Sequence, residues 1–473
     1  MRIRHFLILL VLPLLTAQSQ VDFNRFFYDK TMRVDYHHIG TKGEERITLD
    51  RVVQEGPWPG SMVNLVDTLN LGLYLLRVYD VKSGLLLYSR GYSTVFNEWQ
   101  TTPEAGRGVW KTFHESVRFP FPKRSVQVTI SRRDDFLVFQ QKFSVVVDPD
   151  DPTVVIAEAQ YPPFEVMDLM DNGDMHKKVD ILILGDGYAA DEMDKFVADA
   201  THFNNVMFET SPFKERKEDF NVRALKVVSP QSGIDVPDRN VWKNTALGSM
   251  YNTFGSPRYV LTEANRDLRD IAAAAPYDFL CILINDDRYG GGGIYQLYTT
   301  TYANEKNEGQ AWQRDYVYVH EFGHSFGGLG DEYSSSSTGY DEFYPAGVEP
   351  WEPNVTRLMH APHVKWQADV TPGIDIPTDW GKAEYDALRA ELGTLDRLAE
   401  DYYEKRQPIF ERMGEISKNP DLLGKVGAFE GAGYVSEGMY RPSLDCRMFS
   451  LSLTDFCPVC RAAIERQIDF YAK

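Results

Sequence analysis

The chain has 473 residues, 43% hydrophobic and 13% aromatic, which is enough apolar material for two or three packed domains and too much for a disordered protein. Its 69 acidic side chains outnumber 50 lysines and arginines, for a formal charge of −19. That balance excludes a nucleic-acid-binding role, which needs clustered cations against phosphate.

Arg2 and Arg4 precede an apolar run over residues 6–15, and Leu15-Thr16-Ala17 then offers a small-residue cleavage position. The run is too short for the ~20 residues of a membrane-spanning helix. The pattern predicts a secretory signal peptide over 1–17 and an exported protein, periplasmic or extracellular. No cysteine follows the run, which argues against a lipoprotein anchor. No later segment reaches about 18 uninterrupted apolar residues, so no integral membrane segment is expected.

Residues 18–150 read as strands and turns. Stretches 73–81, 125–130 and 136–147 are rich in β-branched and aromatic residues, 125–130 alternates with period two, and Gly and Pro clusters punctuate them. A β-sandwich without a catalytic cluster of its own is expected here. Asp148-Pro149-Asp150-Asp151-Pro152 is charged and helix-breaking, and reads as a linker.

From 151 to 473 the pattern becomes α/β, so the whole chain reads as an α+β protein. A buried-type strand at 179–184 closes on Gly185-Asp186-Gly187. A helix follows with Phe196, Ala200, Phe203 and Met207 on one face. A strand at 220–228, a helix at 262–275 and an apolar strand at 279–284 come next. Four consecutive glycines, Gly290 to Gly293, suit a close backbone approach better than a central strand. The β-prone run 294–300 behind them is a candidate edge for an extended peptide. Residues 382–406 read as a charged helical stretch ending before Pro408, within a helical insertion at about 380–416.

Between these elements lies His320-Glu321-Phe322-Gly323-His324, an H-E-x-x-H sequence. On a helix, positions i and i+4 share a face, so both imidazoles can reach one zinc ion. Glu321 is then placed to act as general base on a water at the metal. Gly327, three residues beyond His324, can end the helix in a left-handed conformation and turn the chain back toward the metal. Gly330 occupies the position where the extended motif H-E-x-x-H-x-x-G-x-x-H has its third ligand. The carboxylates arrive one and two residues later, so Asp331 is the expected third ligand and Glu332 the reserve. Met448 follows near the C-terminus as a candidate for the methionine beneath the metal in metzincin-like sites.

HEFGHSFGGLGDEY at 320–333, FEGAGY at 429–434, YRPSLDCRM at 440–448 and FCPVC at 456–460 stand in order. Together with VDILILGDG at 179–187 they resemble the IgA-peptidase-type zinc metallopeptidase family, an exported bacterial group with a metzincin-like catalytic domain. The β-rich first part resembles the domain that precedes it in many members. The resemblance implies zinc at His320 and His324 and Glu321 as base. It does not fix immunoglobulin A as substrate.

Glu430 is a candidate for lining the cleft or for tying down the Met448 region. Tyr440 is a candidate donor to the tetrahedral oxyanion. His360 and His363 read as structural, and His202 has no visible partner in the sequence. Cys281 sits in an apolar strand as a buried, inert thiol. Cys446, Cys457 and Cys460 cluster at the C-terminus, where two are expected to pair in an oxidising compartment, with connectivity open. Cys457-Pro458-Val459-Cys460 also has the spacing of a redox or half-zinc motif, but without a second such pair a closed structural zinc site is not expected. The function expected is secreted, zinc-dependent endoproteolysis of a protein or glycoprotein. The rivals are a surface-binding protein that keeps the zinc site without turnover and a glycoprotein-specific zinc hydrolase. Nothing in the sequence bears on oligomeric state.

Overall fold

A computed structural model describes residues 21–156, 164–304, 309, 311–334, 343–395 and 401–472. The expected signal peptide lies outside them. The N-terminal part is β-rich and consists of two four-stranded sheets. One runs in the order Lys111–Pro122, Phe27–Thr41, Glu44–Glu55, Val155–Ile156. The other runs Leu86–Tyr92, Tyr74–Asp80, Val126–Arg133, Phe139–Val147. Val34, Tyr36 and Phe119 from the first sheet share one core with Leu76, Val78, Val128 and Ile130 from the second. The strands expected from hydrophobic alternation all belong to the second sheet.

The long hairpin of the first sheet was hidden by its charges. Arg33 is fully buried, donating from Nε to Asp35 at 2.8 Å and from Nη1 to Glu55 at 2.6 Å. Its Nη2 reaches Asp270, on the Asn265–Ala272 helix of the second part, and Arg51 Nη2 lies 2.6 Å from the same carboxylate. A buried ion network of this kind stands only when every charge is paired, and it ties the two parts of the chain together. The stretch read as a linker, 148–152, leads straight back to the first sheet, where Val155–Ile156 pairs in parallel with Glu44–Glu55.

The second part is built on a mixed six-stranded sheet in the order Gly291–Ile294, Tyr298–Tyr302, Phe279–Ile284, Val179–Asp186, Phe220–Lys226, Glu165–Met170. The inner four strands run parallel and both outer ones are antiparallel. Val179–Asp186 and Phe279–Ile284 are buried at every position, which is why Ile181–Leu184 and Phe279–Ile284 read as unbroken apolar runs. Ile181 and Ile183 face the helices Met193–Glu209, Ala311–Gly327 and Pro458–Tyr471, meeting Phe203, Phe322 and Ile464. Leu182 and Leu184 face the other way, against Ile271 and against Phe96 and Trp99 of the N-terminal part.

Two expectations are corrected here. The run 294–300 is not the sheet edge: Tyr298–Tyr302 is an inner strand, and the outer strand is Gly291–Ile294. The helical stretch does not stop before Pro408. It forms two helices, Lys382–Thr394 and Tyr402–Ser417, and the second runs through Pro408. Pro408 and Glu404 are exposed, so the carbonyl that the proline leaves without an N–H faces water. Among the described residues no helix is long and apolar enough to cross a membrane.

Candidate metal centre

His320 and His324 lie one turn apart on the Ala311–Gly327 helix, with their Nε2 atoms 3.2 Å apart. The glycine strand lets this helix lie directly on the sheet. A Cβ on Gly291 would stand 2.6 Å from Val317 Cγ1, and one on Gly293 would stand 2.9 Å from the Glu321 carbonyl carbon and 3.0 Å from His324 Cβ. The turn glycine is one residue later than expected. Gly327 is still helical, and Gly328 takes the left-handed conformation at φ +63° while its N–H donates to the His324 carbonyl at 3.1 Å. That one-residue delay matches a third ligand at 331 instead of 330.

Asp331 completes a triangle. Its Oδ1 lies 3.1 Å from His320 Nε2 and 3.4 Å from His324 Nε2. Three ligand atoms ~2.0–2.1 Å from a tetrahedral zinc are separated by about 3.3–3.4 Å, so the triangle has the size such an ion requires. The same Oδ1 is buried without a hydrogen-bond partner. Outer partners set the tautomers. His324 Nδ1 donates to the Leu329 carbonyl at 2.6 Å, and His320 Nδ1 lies 3.1 Å from both the Arg447 carbonyl and the Tyr316 hydroxyl. Both Nε2 lone pairs therefore face inward. Tyr434 donates its hydroxyl to Asp331 Oδ2. The donor set fits a catalytic zinc with a fourth position open.

Glu321 stands beside the triangle in the same cleft wall. Burial pushes its carboxyl up, against the pull of His320 and His324. Burial opposes charge on His324, but the Asp331 carboxylate wins and pushes the imidazole up to about 10. Burial works against ionised Asp331 as well, and His324 and His320 hold it well below the usual carboxylate range. Charged His324 and ionised Asp331 thus favour each other, and a metal ion taking this place would displace the imidazole proton.

Glu332 points elsewhere. Its Oε1 accepts from Asn354 Nδ2 at 2.9 Å and lies 3.1 Å from Cys460 Sγ. Met448 is fully buried under the zinc helix, its Sδ 3.0 Å from where a Cβ on Gly323 would stand. Glu430 is not brought to the cleft; its Oε1 accepts the Gly438 N–H at 2.9 Å within the Phe429–Ala432/Val435–Arg441 hairpin. Tyr440 also stands away from the cleft, bonded through its backbone to Thr356 at 3.1 and 2.8 Å. The phenols that line the cleft include Tyr289, Tyr316, Tyr333, Tyr344 and Tyr434. Arg258 joins them and interacts electrostatically with Glu321 and Asp331. Tyr316 shares the Ala311–Gly327 helix with the two histidines, and Tyr333 and Tyr434 close two of the quoted motifs, whereas Arg258, Tyr289 and Tyr344 arrive from separate loops that no motif marks.

The expected disulfide is not formed: all four cysteines are free. Burial pushes the Cys281 thiol up to about 12, in keeping with an inert core residue. His202 does have a partner, Asp315 on the zinc helix, at 2.7 Å. His360 and His363 are exposed and outside the site.

The cleft in front of the triangle has a volume of about 430 Å³. One wall is the zinc helix and glycine strand. The opposite wall comes from the N-terminal part, including Asn97, Gln100, Arg132 and Arg133. Ser93 N–H donates to the Tyr295 carbonyl at 3.0 Å, and Tyr259 bonds Glu98, so the walls are joined at the rim.

Two family models account for most of the chain. One described as IgA Peptidase M64 matches residues 167–468, and one described as Peptidase M64 N-terminus matches residues 22–144. No curated protein is similar enough to this chain to count as a match. The chain belongs to the IgA peptidase M64 family.

Proposed function

We propose that this peptidase is an exported, zinc-dependent endopeptidase in which His320, His324 and Asp331 hold the metal and Glu321 is the general base. One observation carries the reading: three inward-facing donor atoms at 3.1–3.4 Å separation, with the half-buried Glu321 carboxylate beside them in the wall of a cleft. The order of parts supports a metzincin-like site with a carboxylate as third ligand: zinc helix, glycine turn, Asp331, then Met448 underneath. The cleft volume, about 430 Å³, lies within the ~300–1,000 Å³ of ligand clefts and leaves room for side chains of a protein or glycoprotein on both sides of a scissile bond.

When bound, zinc supplies Lewis acidity, polarising the scissile carbonyl and making water acidic enough to give up a proton near pH ~7. Glu321 takes that proton as the water attacks and passes it to the leaving amine nitrogen. Its burial favours the protonated state in which it holds the proton between the two steps. The Leu329 and Arg447 carbonyls keep His324 and His320 in the tautomer that presents Nε2. Tyr434 holds the Asp331 carboxylate so that Oδ1 faces the imidazoles. The N-terminal wall and the glycine strand flank the site across which an extended chain would lie.

The test is a mass-spectrometric digest of a proteome-derived peptide library by the purified chain, with metal content measured on the same sample. Internal cuts that vanish with a chelator and return with zinc are expected. Glu321→Gln should keep the metal and lose ~10²–10⁴-fold in turnover. Unchanged turnover in that variant sinks the assignment of the base. Export is tested by the N-terminal sequence of the mature protein outside the cytoplasm.

A further inference from the structure

The three C-terminal cysteines form no disulfide, and what surrounds them calls for a cation. We propose that Glu332, Cys446, Cys457 and Cys460 form a second, structural metal site of the zinc class, separate from the His320–His324–Asp331 centre.

One donor atom from each of the four residues lies within 4.8 Å of all the others. Cys446 Sγ and Cys460 Sγ are 3.8 Å apart. Thiolates ~2.3 Å from a tetrahedral zinc are separated by about 3.8 Å, so this pair already has the spacing of one tetrahedral edge. Glu332 Oε1 approaches Cys460 Sγ at 3.1 Å on another side. Exposure is 0% for Glu332, Cys446 and Cys460 and 5% for Cys457, so the cluster is closed off from bulk solvent.

The polar groups around the cluster do not balance without an ion. Glu332 Oε2 is buried with no hydrogen-bond partner, a costly arrangement for a carboxylate oxygen. Its Oε1 is oriented by Asn354 Nδ2 at 2.9 Å, the kind of outer contact that fixes a ligating carboxylate. Three thiolates and one carboxylate around a dication leave two negative charges over. Arg441 is buried within electrostatic reach of Glu332 and Cys446, and its Nε and Nη2 have no partner. The Cys457 N–H donates to Cys446 Sγ at 3.2 Å from the N-cap of the Pro458–Tyr471 helix, so the positive end of that helix also faces the sulfurs.

Sulfur donors select zinc over calcium or magnesium, and four protein ligands close the shell, which makes the site structural. The spacing argument against a closed site fails because the other half of Cys457-Pro458-Val459-Cys460 is no second pair. It is one cysteine from the Met448 turn and one glutamate from the loop beyond the zinc helix. The ion would clip together the segments that carry Asp331, Met448 and the last helix, where the Glu332 N–H already donates to the Met448 carbonyl at 2.9 Å. Adjacent residues thus serve different metals: Asp331 turns to the imidazoles and Glu332 to the thiols.

The experiment is metal analysis of the purified full chain loaded with zinc, on the unaltered protein and on a His320→Ala, His324→Ala double variant. Two zinc ions per chain are expected in the first and one in the second. Exchange with cobalt(II) should give a near-ultraviolet thiolate-to-cobalt charge-transfer band that the histidine variant keeps and a Cys446→Ser, Cys460→Ser variant loses. Should the cysteine variant fail to fold, the histidine variant alone decides. Zinc at one per chain in the unaltered protein, no band, or a denatured and metal-stripped chain with two of its four thiols oxidised to a disulfide would each overturn the proposal.

Discussion

Replacing Gly293 by alanine tests whether the zinc helix rests on the glycine strand. The new Cβ would stand 2.9 Å from the Glu321 carbonyl carbon and 3.0 Å from His324 Cβ, with the Glu321 carbonyl oxygen closer still. Carbon atoms in contact sit ~3.5–4.0 Å apart, so the shortfall against the carbonyl carbon is at least about 0.6 Å (3.5 − 2.9). The obstacle is helix backbone and cannot rotate away, so the helix must withdraw. Overpacking of this kind costs about 1–3 kcal/mol. At ~2 °C per kcal/mol for a part of this size, the melting temperature should fall by about 2–6 °C. Because the displaced residues are Glu321 and His324 themselves, a shift near 1 Å should lower kcat/KM by up to ~10²-fold on the best-cleaved library peptide. Gly393→Ala is the control. It lies in the Lys382–Thr394 helix with nothing within 4 Å of its Cβ, and should stabilise by up to ~1 kcal/mol. Scanning calorimetry and steady-state kinetics read both variants. A Gly293→Ala protein with unaltered melting and kcat/KM refutes the direct packing of helix on strand.

Three further outcomes are expected. His324→Ala should lower the zinc content by one ion per chain and abolish turnover, checked by metal analysis after dialysis; full occupancy would remove His324 from the ligand set. Tyr434→Phe removes the donor to Asp331 Oδ2 and should weaken zinc binding by ~10–100-fold with little change in melting, read by chelator competition. His38 is buried between Glu115, 2.9 Å from its Nδ1, and Glu45, 3.1 Å from its Nε2. Burial acts against its charge, but the two carboxylates prevail and raise its pKa. Its stabilisation is therefore complete below the ordinary ~6.5 and is lost as pH rises through the raised folded value. His38→Gln should cost about 3–5 kcal/mol at pH ~6, with the gap to the unaltered protein narrowing as pH rises; a gap that widens contradicts the clamp.

How much of this was legible beforehand follows from where the information sits. The apolar strands 179–184 and 279–284 and the amphipathic helix at 193–209 could be read because burial shows as composition and period. The Phe27–Thr41 and Glu44–Glu55 strands could not, because Arg33, Asp35 and His38 are buried against Asp270, Ser116 and Glu115, all far away in sequence, and such pairing is invisible in a local window. The proposed ligands His320 and His324 share one helix, and their spacing alone brings them together. Arg258 reaches its position through a loop that no spacing marks, and the spacing that put Glu332 in reserve as a metal ligand beside the histidines did not show that it turns to the cysteines. The four glycines signalled a close backbone approach correctly, but only the packing of the zinc helix shows what approaches.

Asp331, the proposed third ligand, shows how the motif and the fold share the work. A helix that ended at Gly327 would deliver residue 330, which is a glycine with no ligand to offer. Delaying the left-handed residue to Gly328 delivers Asp331 instead. The same turn brings the Leu329 carbonyl to His324 Nδ1 at 2.6 Å, while the turn bearing Met448 brings the Arg447 carbonyl to His320 Nδ1 at 3.1 Å. Both imidazoles are thus oriented by main-chain atoms, which any side chain at 329 or 447 would supply. What must be kept is the path of the backbone through these two turns. The Glu332 N–H to Met448 carbonyl bond joins the two paths directly, and the cluster of Glu332, Cys446, Cys457 and Cys460 sits on the same junction. The geometry of the proposed centre therefore depends less on the side chains around it than on whatever holds these two turns against each other.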